Sequence, residues 1–480
     1  MKRIVVIGAG PGGICAGVQL KKAGFDDFVI LEQSSGVGGT WWRNTYPGCR
    51  CDVPSVLYSF SFALKPDWSE PYAVQPEIQN YMRNVAERFD LLPHIRLNTR
   101  ANAAIWSDET KSWTVRTDRG EEFVGDVLIG ALGLFNEPAY PNIPGLADFQ
   151  GMMMHSARWD HSITLENQRI GVIGSAASTV QFAPEIAKIA KSLTIYQRTP
   201  NYVNPRQNAF DELFLEALRA DPETAMRKER ETLGFWLDAV CTYDNVEVLA
   251  AFKKAAMDNL AQVNDPIVRK KLTPDYPFGS KRGLVSSDWY PIFNRNNVEL
   301  VTESVARITH KGIASEDDVE RAFDVIILAT GFQTTRFLSA IPVTGRDRRS
   351  LSDDWADGAK AYLGITTPGF PNMFMLYGPN TNNGSILHKI ECQVDYILNK
   401  LADMEQHCIH TIEVTPESHA AYNAKLQEDL AKVAVWNSGV NDYYRAESGL
   451  IVTQWPHSMV RYETETRQSD LSAYICVAGD

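Results

Sequence analysis

Two stretches of this chain follow one pattern: an apolar run, a turn of small residues, a helix-length segment and a second apolar run. The first starts at Ile4-Val-Val-Ile7 and turns through Gly8-Ala-Gly10-Pro-Gly-Gly13. Ile14 to Ala23 then reads as a helix, and Phe28-Val-Ile-Leu31 as a strand ending in Glu32. The second starts at Arg169-Ile-Gly-Val-Ile173 and turns through Gly174-Ser175-Ala-Ala-Ser178-Thr179. Val180 to Ala190 is its helix, and Leu193-Thr-Ile-Tyr196 its strand, followed by Gln197-Arg198-Thr199-Pro200. Short β-branched runs without a polar break mark strands buried on both faces of a parallel sheet. The glycines make the tight turn, let the backbone approach a pyrophosphate and let the helix pack on the strand, while the helix N-terminus offers free N–H groups. The fold class expected is therefore α/β, with two Rossmann-like dinucleotide-binding units.

The two units differ in charge. Glu32 lies 24 residues after Gly8, and Arg198 lies 24 residues after Gly174. The count predicts one structural slot that holds an acid in the first unit and a base in the second. An acid accepts from a free ribose 2′-hydroxyl and repels a 2′-phosphate, whereas a guanidinium grips that phosphate. The second turn also departs from the usual pattern, with Ala176 and Thr179 at the second and third glycine positions.

At 480 residues the chain has room for two or three domains. A formal net charge of −12 argues against nucleic acid or an anionic membrane as a general partner. Seven scattered cysteines without a C-x-x-C pair predict a reduced, cytoplasmic chain. Lys2-Arg3 and the apolar run after them resemble a signal peptide, but the glycines from Gly8 onward interrupt it. No apolar stretch is long enough to span a membrane. His407-Cys-Ile-His410 has the spacing of a metal pair but lacks a second ligand cluster, so a surface helix and no metal site are expected.

Two further stretches are specific. Gly38-Gly39-Thr40-Trp41-Trp-Arg-Asn-Thr-Tyr46-Pro-Gly48-Cys-Arg-Cys-Asp52 fills every fixed position of (A/G)-G-x-W-x-x-x-x-(F/Y)-P-(G/M)-x-x-x-D. Between the two units, Phe149-Gln-Gly-Met-Met-Met-His155-Ser-Ala-Arg-Trp159 reads F-x-G-x-x-x-H-x-x-x-W. Both resemble signatures of the type I Baeyer–Villiger monooxygenases, and the resemblance runs from Gly8 to about Arg467. Read alone, His155 and Trp159 would be packing residues of a linker. The resemblance makes that linker the joint that sets how the two nucleotide units face each other.

The resemblance implies FAD in the first unit and NADPH in the second. For FAD it points to Gly8, Gly10, Gly13, Glu32, Gly39, Thr40, Trp41, Asp52, Tyr58, Ala101 and Asn380. For NADPH it points to Gly174, Ser175, Ser178, Thr179, Arg198, Thr199 and Lys281. Arg282 would lie over the flavin as the catalytic residue, with Asp52 holding it. Adjacent basic residues are otherwise a solvated turn, so only the resemblance singles out Arg282. Two departures bear on substrate choice. The stretch Asn382-Asn-Gly-Ser-Ile-Leu-His-Lys389 is shorter than in many members, and Gly439-Val-Asn-Asp-Tyr443-Tyr444 stands where many carry Ser-Trp-Tyr. Leu132 is a milder one, where A-T-G is usual.

The layout expected is an FAD domain from residues 1–148 and 335–480, and an NADPH domain from 149–334 with a helical insert at 206–275. The implied reaction converts a ketone or aldehyde to an ester or lactone, with O2 as co-substrate and a flavin peroxide as oxidant. Oxidation of sulfur or nitrogen, an uncoupled NADPH oxidase and a redox sensor without turnover are the alternatives. The carbonyl compound and the oligomeric state are not readable from the sequence.

Overall fold

The computed structural model describes residues 2–440, 443–467 and 471–479. Two five-stranded parallel sheets organise it. In the first, Ile4–Ile7 lies between Val127–Gly130 and Phe28–Leu31, with Met373–Met375 and Ile95–Arg96 at the edges. In the second, Arg169–Ile173 lies between Ser192–Tyr196 and Val325–Leu328, with Val298–Val301 and Met152–His155 at the edges. All four residues of Ile4–Ile7 are buried, as their unbroken apolar run requires. Each central strand leads through its turn into a helix, Pro11–Lys22 in the first unit and Ala177–Ile186 in the second. The second helix starts three residues before the expected Val180.

The stretch 149–159 is not a linker running between sheets. Met152–His155 is an edge strand of the second sheet, in parallel register with Val325–Leu328, and a short turn of helix Ser156–Arg158 follows. The motif's His155 ends that strand, buried, and its Trp159 caps the turn.

The insert consists of helices Glu212–Ala220, Pro222–Cys241, Val246–Leu260 and Pro266–Lys271. The side chain of Asp211, Asp221, Asn245 or Asp265 accepts from a first-turn backbone N–H of each. Arg230 fastens the second of them to the first unit, its Nη1 donating to Val56 O at 2.9 Å and Ser59 O at 2.6 Å.

The expected surface helix at His407–His410 is absent. Helix Ile386–Gln406 ends before it, Cys408 takes a left-handed φ of 51°, and Ile409–Val414 is a strand. A left-handed residue one step past the last turn is a common helix stop. No group of three or more His, Cys, Asp or Glu suited to a metal occurs among the described residues. No described helix is long and apolar enough to cross a membrane. In the substrate-side stretch, Asn441 and Asp442 lie outside the described residues, while Tyr443 and Tyr444 lie within them.

Candidate active site

Both glycine turns open on one cavity of about 1040 Å³. Gly8, Gly10, Glu32, Gly39, Thr40, Trp41, Asp52, Tyr58 and Ala101 line its first half. Gly174, Ser175, Ser178, Arg198, Thr199, Lys281 and Arg282 line the second. Fifteen of the eighteen residues singled out as cofactor-binding, with Arg282, expected as catalytic, thus share a wall, although Asp52 and Arg282 are 230 positions apart.

The two turns are built alike. Gly8 has φ +107°, and a Cβ there would stand 2.5 Å from Ala131 O; Gly174 has φ +109°, with Ala329 O at 2.4 Å. Each turn is therefore pressed against the return strand beside it, in a backbone conformation that only glycine adopts without strain. The helices behind them have Gly10 and Ala176 as N-caps, and neither end carries a side-chain cap. All four helices of the insert are capped. The N–H groups facing the cavity are thus left for an anion.

Three of the expected residues stand behind the wall. A Cβ on Gly13 would meet Gly8 O at 1.8 Å, so this glycine lets helix and strand pack. Thr179 Oγ1 donates to Gly174 O at 2.9 Å and closes the turn. Asn380 is buried, its Nδ2 donating to Ile451 O at 2.8 Å and Gln454 O at 3.1 Å.

Both carboxylate oxygens of Glu32 are engaged by the backbone. Its Oε2 accepts from Ala9 N at 2.8 Å and its Oε1 from Ser34 N at 2.7 Å, which braces the glycine turn from below. Lone pairs remain for hydroxyl groups in the cavity.

The equal spacing of Glu32 and Arg198 does not mean an equal position. Leu31 pairs with Ile7, but Tyr196 pairs with Ile173, so the second crossover is one residue shorter. Glu32 N donates to Arg96 O at 2.9 Å, and the matching bond in the second sheet is Gln197 N to Val301 O at 2.8 Å. Gln197 therefore holds the slot of Glu32, and Arg198 comes one residue later, exposed on the cavity wall. Gln197 is buried, its Nε2 donating to Lys271 O at 2.9 Å. The slot thus loses its negative charge and the next residue adds a positive one.

Arg282 and Asp52 form a two-pronged ion pair, Nε to Oδ2 at 2.7 Å and Nη2 to Oδ1 at 2.8 Å. Asp52 holds the guanidinium well above its ordinary pKa in spite of burial, so Arg282 stays charged. Nη1 lies outside this pair. Trp41 Nε1 donates to the Tyr58 hydroxyl at 2.8 Å, and burial pushes that phenol up, so it stays neutral. Lys281 Nζ lies 5.6 Å from the centre of the Tyr276 ring.

The second signature loop also docks the two units. Tyr46 donates its hydroxyl to Gln181 Oε1 at 3.0 Å, and Gln181 Nε2 donates to Arg50 O at 3.0 Å. Trp159 packs on Tyr46 and on Phe182, with ring centres 6.4 and 5.5 Å away. His155 Nδ1 accepts from Ala157 N at 3.1 Å, which leaves the proton on Nε2, facing Thr330 Oγ1 at 3.3 Å. Burial lowers the pKa of this imidazole and keeps it neutral. Gln181, Gln197 and Tyr377 also line this cavity, and nothing local in the sequence marks them. A glutamine or asparagine becomes functional only through the partner that folding brings to it.

The sequence profile of the pyridine nucleotide-disulphide oxidoreductase family matches residues 5–213. A Baeyer–Villiger monooxygenase of Pseudomonas aeruginosa is 37% identical over 98% of this chain and 91% of its own length. One of Streptomyces coelicolor is 38% identical over 98% of this chain and 92% of its own. The crystal structure of cyclohexanone monooxygenase from Rhodococcus sp. Phi1 bound to NADP+ superposes with a TM-score of 0.89 at 29% identity. That match covers 100% of this chain and 99% of the other. The chain belongs to the Baeyer–Villiger monooxygenases, flavin enzymes that consume NADPH.

Proposed function

We propose that residues 1–148 with 335–480 hold FAD, that 149–334 hold NADPH, and that the shared cavity turns a ketone or aldehyde into an ester or lactone. The observation that carries this reading is the charged Arg282, clamped by Asp52 on a wall common to both uncapped glycine turns. The residues fit the groups: two bare helix N-termini suit two pyrophosphates, and a neutral Gln197 beside an exposed Arg198 suits a 2′-phosphate. When bound, FAD reduced by NADPH supplies the activation of O2.

The chain's own groups do the rest. An oxidant that attacks a carbonyl carbon must be a nucleophile, hence anionic, and so is the adduct it forms. The Arg282 guanidinium stabilises both negative charges, and Asp52 fixes its plane beforehand, so little reorganisation is needed. A pair already neutralised by Asp52 also costs less to keep in a partly closed cavity than a lone cation. Apolar Val53, Leu134, Phe135, Phe332, Ile386 and Ile390 line the same wall and exclude water around the reacting carbonyl.

The test is turnover with NADPH, O2 and a panel of ketones, aldehydes and sulfides, following NADPH loss, hydrogen peroxide and product mass. Ester or lactone one oxygen heavier than the ketone is the expected product. Sulfoxide without ester favours heteroatom oxidation, and peroxide equal to the NADPH consumed with every carbonyl favours an uncoupled oxidase.

A further inference from the structure

Asn382 stands where three parts of the chain meet. Its side chain is buried, and both ends of the amide are in use. Oδ1 accepts from the Tyr377 hydroxyl at 2.6 Å. Nδ2 donates to Gln454 Oε1 at 2.5 Å and to the Tyr443 hydroxyl oxygen at 3.4 Å. The backbone is held as well: Asn382 N donates to Thr453 O at 2.8 Å, and Trp455 N donates to Asn382 O at 2.9 Å. One residue on, Asn383 Nδ2 donates to Cys241 O at the end of the insert helix Pro222–Cys241. The short stretch therefore ties the insert, the C-terminal segment and the cavity wall together.

Tyr377 and Tyr443 both line the cavity, in the neighbourhood of Arg282. Each has one proton to donate. Tyr377 gives its proton to Asn382 Oδ1, so its oxygen is left as an acceptor. Tyr443 receives a hydrogen bond from Nδ2, and its own O–H has no acceptor among the described residues, so it remains to be donated into the cavity that Tyr443 lines. The amide of Asn382 thereby divides the roles of two phenols that are chemically alike.

We propose that Asn382 is a positioning residue, and that the Tyr443 hydroxyl it aims donates to the substrate's carbonyl oxygen as a second donor beside Arg282. This rests on the carbonyl-oxygenation reading above. A carbonyl oxygen becomes an anion as its carbon is attacked, so a fixed donor gains strength along the reaction. A sulfide offers no such oxygen. The pair therefore selects carbonyl substrates over sulfides and acts after the flavin is reduced.

The experiment uses the FAD-loaded enzyme and compares Asn382→Ala, Tyr443→Phe and the double variant. It measures the rate of FAD reduction by NADPH and the ester and sulfoxide formed per NADPH. Each single variant should lower the ester yield about 3- to 10-fold, the range of one hydrogen bond. Sulfoxide yield and reduction rate should stay within a factor of about two, and the double variant should be no worse than Tyr443→Phe, as for residues acting through one contact. Equal losses on ketone and sulfide, or losses that multiply in the double variant, overturn the proposal. If Asn382→Ala loses FAD, Tyr443→Phe decides alone, because it removes one oxygen and no packing. Arg282→Ala beside them keeps the readings apart: intact ester yield there sinks the role of Arg282, while selective loss in the Tyr443 variant still supports the second donor.

Discussion

Gln197 stands on the rung of the second sheet that Glu32 occupies in the first, with backbone N–H bonds of 2.8 and 2.9 Å to the neighbouring strand. The acid of one unit is thus replaced by a neutral amide in the other, and Arg198 follows it on the cavity wall. Arg198→Ala should weaken NADPH about 10- to 150-fold, the worth of a hydrogen bond to a charged group, and leave NADH almost unchanged. Gln197→Glu should act in the same direction by restoring the repelling carboxylate. Cofactor titrations check both, and equal losses for NADPH and NADH would show that neither residue reads the 2′-phosphate.

Arg282→Ala should separate reduction from oxygenation. The variant should retain FAD and its reduction by NADPH, lose ester formation about 100- to 1,000-fold and release hydrogen peroxide instead. Lys281→Ala should mainly weaken NADPH, since Arg282 and not Lys281 makes the two-pronged pair with Asp52. Stopped-flow reduction beside product analysis distinguishes the neighbours. Unchanged ester formation without Arg282 would return oxidation of sulfur or nitrogen to the front.

Trp159 is wedged between Tyr46 of one unit and Phe182 of the other. Trp159→Ala should cost about 1–3 kcal/mol in stability and should lower the ester formed per NADPH more than it weakens either nucleotide. His155→Ala should slow turnover while FAD stays bound, because His155 braces Thr330 beside the second turn. Unfolding midpoints and coupling ratios are the measurements. A His155 variant matching the parent in rate and peroxide release would leave that residue a packing role only.

Lys389 is buried between the rings of Trp455 and Tyr462, and its Nζ finds no hydrogen-bond partner among the described residues. Burial pulls this amine down to about 7 from an ordinary 10.5. The unfolded chain therefore binds the extra proton between those values, and stability contributed by this site is lost as pH falls from 10.5 to about 7. Lys389→Met should raise stability by about 1–3 kcal/mol at neutral pH, the cost of an unsatisfied buried polar group. The gain should shrink steadily toward pH 10.5. Urea midpoints of both proteins across that range test this; a gain independent of pH would mean that packing, not the buried charge, sets it.

What the sequence determined by itself was local. The strand Ile4–Ile7, its glycine turn and their counterparts at 169–179 depend on neighbours in the chain, so apolar runs and glycines were enough to reveal them. The motif from Gly38 to Asp52 marked one wall of the cavity through its resemblance to the family's signature. The tertiary structure decided what depends on pairing between distant segments. A crossover one residue shorter moved the slot of Glu32 to Gln197, although the spacing from each glycine is the same. Met152–His155, within the stretch 149–159, became a strand because Val325–Leu328 was there to pair with it. Asp52 found Arg282 from 230 positions away, and Asn382 found Tyr443 from 61. Such bonds carry no local pattern, because a side chain's donors and acceptors are committed only when folding brings their partners within about 3 Å.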